Sequence, residues 1–254
     1  MKLSEKMKIT LWVSVVYVLS FICYVPALLE QNGIVVPNIL LYLKYLYVCI
    51  PAIVTIFLLI CEQNIKAYFA QMFSGKITIK YILLWAIYMG AGVFGSYCYS
   101  FIVGANVFKS MYLTVTSLLT SCIYLLITAF VEEIAWRGFL LKRLPFQKKI
   151  SSVIFVGVVW AVWHMPMWII RNSLGVEQIV CLYIWTLLVS VVLGITYYQC
   201  RNILFIAVLH ATFNICYLAQ MQYNIVVLAI VISVGTLLCK KLESCRIVNM
   251  KDRK

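Results

Sequence analysis

The residues most capable of chemistry in this chain are ionisable side chains that interrupt otherwise apolar segments. Glu132 and Glu133 are adjacent in the segment AFVEEIAWRGF, and Arg137 follows four residues after Glu133. The chain has only two histidines, His164 and His210, and both lie in apolar runs. An ionisable group at the centre of a membrane-spanning helix costs about 2.5–3.5 kcal/mol on insertion scales, so each of these residues is a candidate for function.

Helical spacing groups these side chains into pairs, because residues four apart lie on one face of a helix. Three pairs have this spacing: Glu133 with Arg137, Trp160 with His164, and His210 with Asn214. Taken singly, each pair also fits a structural role, as an ion pair at a helix end or as a hydrogen-bonding group between helices. Together, on three separate segments, the pairs favour one polar site within the membrane.

The composition indicates which elements must position this site. Of the 254 residues, 65% are hydrophobic and 11% are charged, and the mean hydropathy is +1.00. Such a chain has too little polar surface to be a soluble enzyme, a disulfide-linked secreted domain, a coiled coil or a disordered protein. The ten cysteines include no CxxC pair, so we expect them to be reduced. The sequence predicts an all-α, polytopic membrane protein in which residues 1–254 form a single integral membrane domain.

Apolar stretches of sufficient length divide the chain into eight predicted membrane-spanning helices. The second is the weakest of the eight as a membrane span, because Lys44 lies within it between Pro37 and Pro51. The first follows basic residues but has no small-residue cleavage site, so we expect it to remain as a helix rather than act as a signal peptide. The predicted spans are 9–29, 35–61, 81–104, 110–131, 150–170, 179–199, 203–219 and 223–239.

The basic residues sort strongly across these eight spans. Of the 21 Lys and Arg residues, 18 fall in segments on one side, and Lys109 and Arg171 fall on the other; Lys44 lies within a span. By the positive-inside rule, both termini and the segments 62–80 and 137–149 are predicted to be cytoplasmic. The expected location is the cell membrane, with several crossings. The net charge of +13 is therefore attributed to topology, and no nucleic-acid partner is expected.

The three motifs, in this order, resemble the signature of the CPBP family of intramembrane proteases, which includes CaaX proteases and bacteriocin-processing enzymes. The family pattern is EExxxR, then FxxxH, then HxxxN, and the motif region here covers about residues 128–216. Trp160 replaces the usual phenylalanine, a conservative departure that we expect not to impair activity. The resemblance implies an endopeptidase that cleaves a membrane-associated peptide or protein with a water activated by glutamate and histidine.

The resemblance also implies roles for the candidate catalytic residues. Glu132 is the predicted general base, and His164 shares the water and shuttles the proton. His210 and Asn214 are predicted to donate hydrogen bonds to the oxyanion. Glu133 and Arg137 are predicted to form an ion pair that holds the helix end in place.

Several alternatives remain open from the sequence. Two histidines and a glutamate form a common catalytic zinc set, so the cofactor and any metal are unknown. A transporter also places buried charges in the membrane, although here they lie almost entirely in the second half of the chain. A non-catalytic immunity or scaffold protein of the same fold is the main alternative function. The expected partners are the lipid bilayer and a peptide or membrane-protein substrate, and the oligomeric state is unknown.

Overall fold

The computed structural model of the chain describes residues 4–79, 115–171 and 175–218, together with residues 81–83, 85–87, 90, 94 and 101. All regular elements in these parts of the chain are helices. This follows from the composition, because lipid offers no hydrogen-bond partners and a helix satisfies its backbone groups internally. The predicted all-α, polytopic membrane fold is confirmed.

The N-terminal part of the chain consists of one long helix followed by shorter ones. The hydroxyl of Ser4 accepts a hydrogen bond from the Met7 amide at 3.3 Å and caps the first helix. The second predicted span, 35–61, is a series of helical pieces rather than one helix, and a 3₁₀ turn, Tyr47–Cys49, lies within it. The helices of this part are α1 (Glu5–Gln31), α2 (Asn38–Leu41), α3 (Leu43–Leu46), α4 (Ile50–Cys61) and α5 (Ile65–Met72).

The described residues from 115 onward form four long helices, two of which continue into π-helical turns. The first of these, α6 (Val115–Glu133), continues through the π-helical segment Ile134–Leu140 and a last α-turn, Leu141–Arg143. A second π-helical segment, Met167–Arg171, continues the next helix. The remaining helices are α7 (Lys149–Pro166), α8 (Val176–Cys200) and α9 (Ile203–Leu218).

Most of the predicted spans that fall on described residues coincide with helices. Within the described residues, five helices are long and apolar enough to cross a membrane, and a shorter apolar helix covers Ile203–Asn214. These six correspond to the first, second, fourth, fifth, sixth and seventh predicted spans. The third predicted span, 81–104, lies mostly outside the described residues, and the eighth, 223–239, lies entirely outside them.

The predicted end of the fourth span is wrong. We expected the span to end at residue 131 and a cytoplasmic loop to begin at Arg137, but helical structure continues to Arg143. The physical reason is that Arg137 is fully buried and pairs with a carboxylate inside the protein. It therefore needs no water, and its charge does not terminate the helix.

Helices α6 to α9 pack closely and hold the polar residues between them. Helix α6 packs against α9, and α7 packs against α8. Small residues permit the second contact: a Cβ added to Gly157 would lie 2.8 Å from Leu187 Cδ1, and one added to Gly194 would lie 3.0 Å from Val153. The N-terminal helices lie against α7, where the hydroxyl of Tyr17 donates to the Val159 carbonyl at 2.7 Å.

Candidate active site

A fully buried ion pair lies at the centre of the candidate site. Arg137 Nη1 donates to Glu133 Oε1 at 2.6 Å, and neither side chain is exposed. The second terminal nitrogen, Nη2, donates to Ser190 Oγ on α8 at 2.8 Å. Burying an ion pair is costly unless its remaining polar atoms find partners, and among the described residues Glu133 Oε2 and Arg137 Nε have none. The hydroxyl of Ser190 supplies a partner for Nη2 and ties the π-helical segment to α8.

His210 joins this pair from α9. Its Nδ1 lies 2.8 Å from Glu133 Oε1, the same oxygen that accepts from Arg137. Because a carboxylate oxygen only accepts, Nδ1 carries a proton, and the neutral ring has its lone pair on Nε2. His210 can therefore donate from Nε2 to an oxyanion only as the imidazolium. Its predicted role in the oxyanion hole depends on that protonation state.

Glu132 has a different partner from its neighbour. The indole Nε1 of Trp160 on α7 donates to Glu132 Oε2 at 2.8 Å, and Glu132 is 5% exposed. The two adjacent carboxylates thus point to different helices: Glu133 to α8 and α9 through Arg137 and His210, and Glu132 to α7. This separation agrees with the roughly 100° between successive residues on a helix.

His164 and Asn214 line one cavity of about 60 Å³, between α7, α8 and α9. Aromatic side chains, among them Trp160 and Trp168, form much of its wall. Such a volume has room for a few water molecules. His164 Nδ1 lies 2.8 Å from the Trp160 carbonyl oxygen, so the neutral ring has its lone pair on Nε2 and can accept a proton there.

The structure thus brings the six predicted site residues into one connected region. Trp160 is its centre, since its ring contacts both histidine rings, with centroids 4.9 Å and 5.0 Å apart for His164 and His210. The predicted pairing of Glu133 with Arg137 is present. The catalytic roles given to Glu132, His164, His210 and Asn214 stay predictions. In the described part of the chain, no group of three or more His, Cys, Asp or Glu side chains is arranged to hold a metal ion.

Three features of the site were not predicted from the sequence. Ser190 contacts Arg137 but belongs to no motif; its one signal is that it interrupts the apolar run LLVSVVLG. The second is the hydrogen bond from the Trp160 indole to Glu132, which only the relative placement of α6 and α7 reveals. A third unpredicted feature, the π-helical turns, is common at functional sites and carries Arg137 here.

Comparison with known proteins finds a match in the same region of the chain. Residues 114–216 match the family described as type II CAAX prenyl endopeptidase, Rce1-like. No curated protein matches the chain. The matched region contains all three motifs and the whole connected site, from Glu132 on α6 to Asn214 on α9. The family match therefore confirms, over residues 114–216, the resemblance to the CPBP family of intramembrane proteases that the motifs indicate.

Proposed function

We propose that this protein is an intramembrane endopeptidase that cleaves a membrane-associated peptide or protein substrate with a water activated by glutamate and histidine. The observation that carries the proposal is the burial of two carboxylates, Glu132 and Glu133, beside both histidines of the chain. Burying these groups in a membrane helix is costly, and ion pairing accounts for Glu133 but not for Glu132. A role as general base accounts for the burial of the Glu132 carboxylate.

The proposed reaction follows from the available atoms. Glu132 takes a proton from a water molecule, and the water oxygen attacks the carbonyl carbon of the scissile peptide bond. Asn214 donates from its amide to the oxygen that becomes negatively charged. His164, whose Nε2 lone pair is available in the neutral ring, relays the proton to the leaving nitrogen. The C–N bond then breaks, giving a carboxylic acid and an amine.

A cavity next to these residues supports a place for the water. It is lined by His164, Asn214 and Trp160, and the Trp160 indole also donates to Glu132. Its volume of about 60 Å³ suits the attacking water and not a peptide.

The test is a substrate-trapping comparison in membranes. Cells producing wild-type protein, Glu132→Ala or Glu30→Ala are compared by mass spectrometry of new peptide N-termini and of uncleaved proteins that co-purify. Glu30 is exposed at the end of α1, so Glu30→Ala is a matched loss of one carboxylate away from the site. We expect cleavage products with wild type and Glu30→Ala, and an accumulated, bound substrate with Glu132→Ala.

Further variants of the same protein separate the alternatives. Asn214→Ala should lower the cleavage rate by about 10²–10³-fold, as the loss of one oxyanion donor does in other hydrolases. A glutamate-activated water keeps its activity in a zinc chelator, whereas a zinc-bound water loses it. If wild type and Glu132→Ala give identical peptides, the proposal is wrong, and the non-catalytic immunity or scaffold function takes its place.

A further inference from the structure

Trp160 contacts four other residues of the candidate site. Its indole N–H donates to Glu132 at 2.8 Å, and its ring lies edge-on to the rings of both His164 and His210. The guanidinium carbon of Arg137 lies 4.7 Å from the centre of the same ring. One side chain therefore touches the proposed base, both histidines and the buried cation.

The hydrogen bond to Glu132 has a specific chemical consequence. A tryptophan N–H is a donor only, so it can hold a carboxylate oxygen but cannot exchange a proton with it. The indole occupies one lone pair of Glu132 Oε2, so Oε1 is the oxygen on which this donor does not compete with a proton from water. The bond also compensates part of the cost of burying the carboxylate. The indole therefore holds Glu132 in one orientation.

Trp160 supplies a hydrogen-bond donor that a phenylalanine at this position lacks. A phenylalanine ring at position 160 would keep apolar contacts with the two histidines and with Arg137, but it has no N–H. The replacement that we treated as conservative from the sequence alone therefore adds a donor to the site. The same position can be reduced to ring contacts alone by one substitution, which makes the role of the N–H testable.

We propose that Trp160 is a positioning residue for Glu132, which it orients through the indole N–H so that the carboxylate can take a proton from water. This inference rests on the proposed endopeptidase function. It assigns to Trp160 a part in catalysis through Glu132, in addition to its packing between α6, α7 and α9.

The kinetic test compares two tryptophan-to-phenylalanine variants of the full-length protein on the substrate identified by trapping. Trp160→Phe should lower kcat by about ten- to hundredfold, the range for one hydrogen bond to a charged group, with KM changed by less than about twofold. The acidic limb of the kcat–pH profile should move to higher pH, because the bond favours the charged carboxylate. Trp12→Phe is the matched control: Trp12 is as buried and donates to Thr55 at 3.1 Å, outside the site.

A spectroscopic measurement tests the pairing itself without any substrate. In detergent-solubilised protein labelled with nitrogen-15 at the indoles, the seven tryptophans give separate N–H resonances, and Trp160→Phe assigns one of them. We expect the Trp160 resonance to move upfield in Glu132→Gln, because an amide oxygen is a weaker acceptor than a carboxylate, while the Trp12 resonance stays in place.

The outcomes distinguish this inference from the proposed function. Wild-type kcat and pH profile in Trp160→Phe, or an unmoved Trp160 resonance in Glu132→Gln, overturns the positioning role. If Trp160→Phe does not fold, the resonance in Glu132→Gln decides the question. A wild-type protein that cleaves nothing, with a resonance that moves, refutes the proposed function and with it the catalytic purpose of the pairing, although the contact itself stands.

Discussion

Adjacent residues can have separate functions, and Glu132 and Glu133 illustrate how. Glu133 shares one oxygen between Arg137 and His210 and has no exposed surface. Glu132 accepts from a neutral indole donor and has no cation at hydrogen-bonding distance in the described part of the chain. A carboxylate that binds two partners, such as Glu133, is suited to a structural role. A carboxylate that accepts only from a neutral donor, such as Glu132, can still take up a proton. Of these two adjacent residues, Glu133 therefore forms a structural ion pair and Glu132 is the candidate base.

We expect Glu133→Gln and Arg137→Gln to destabilise the protein and Glu132→Gln to leave its stability nearly unchanged. Removing one partner of a buried ion pair leaves the other charge without compensation, at a cost of about 3–5 kcal/mol. Glu132→Gln keeps an oxygen that the Trp160 indole can bond. Thermal melting in detergent, together with peptide cleavage, measures both properties for the three variants.

The result that would exchange the two roles is specific. If Glu133→Gln melts like wild type but is inactive, while Glu132→Gln still cleaves substrate, then Glu133 is the base. Ser190→Ala gives a graded comparison, because it removes a neutral acceptor from Arg137 without removing a charge. Its melting temperature should fall between that of wild type and that of Arg137→Gln.

The spacing of residues along the chain predicted local pairs but not contacts between helices. The pairing of Glu133 with Arg137 follows from their separation by four residues and is present at 2.6 Å. The contacts of His210 with Glu133 and of Trp160 with Glu132 join residues 77 and 28 positions apart. No periodicity encodes such distances, because they depend on how α6, α7 and α9 pack.

At the level of elements, the end of α6 links the site to the first helices of the chain. Arg143 lies in the α-turn, Leu141–Arg143, that ends the continuation of α6. It donates to the carboxylate of Glu62 at the end of α4. It also donates to the hydroxyl of Tyr68 on α5 at 2.7 Å. Lys8 of α1 also donates to Glu62, at 2.8 Å. One carboxylate thus connects α1, α4 and α6. Because α6 carries Glu132, Glu133 and Arg137, this cluster helps to set the position of the site.

This cluster predicts a dependence of stability on pH. Hydrogen bonds from Arg143, and then from Lys8, lower the pKa of Glu62 from 4.5 to about 2. A carboxylate with a depressed folded-state pKa stabilises the fold fully above its unfolded pKa, and the contribution is lost as pH falls from about 4.5 to about 2. We expect melting temperatures to fall over this range more steeply in wild type than in Glu62→Gln.

The comparison needs a control for the other carboxylates of the chain. Glu30→Gln removes an exposed carboxylate at the end of α1 and should keep the acid sensitivity of wild type. At neutral pH, Glu62→Gln should melt below both wild type and Glu30→Gln. Equal acid sensitivity in Glu62→Gln and wild type contradicts the assignment of the cluster as the link between these helices.

At the scale of the whole molecule, hydropathy predicted the helices of the described residues well, because the membrane imposes both their length and their regularity. It predicted the end of α6 poorly because it treats charge as a sign of water. Arg137 is charged and fully buried, so the protein interior, and not solvent, provides its partners. The breaks in the second span, where α2, α3 and a 3₁₀ turn precede α4, depend on tertiary contacts such as that of Tyr47 with the Trp163 carbonyl.

Contacts between distant segments bring the ends of several helices together. Lys8 near the start of α1, Glu62 after α4 and Arg143 at the end of α6 form one cluster. The α8–α9 turn lies beside the segment after α5, where the Gly75 amide donates to the Arg201 carbonyl and the Asn202 side chain donates to the Gly75 carbonyl, both at 3.0 Å. Each of these segments contains at least one Lys or Arg and is predicted to be cytoplasmic.

The positive-inside rule predicts that these helix ends face the cytoplasm, and single cysteines test this orientation. In a background with serine at the exposed Cys61 and Cys181, Phe146→Cys lies between α6 and α7 and Val176→Cys at the start of α8. Both positions are exposed. The positive-inside rule predicts that a membrane-impermeant thiol reagent labels Val176→Cys in intact cells but reaches Phe146→Cys only after permeabilisation. Labelling is scored against the same background without an added cysteine. If Phe146→Cys is labelled in intact cells, the cluster of Lys8, Glu62 and Arg143 faces outward and the predicted topology is wrong.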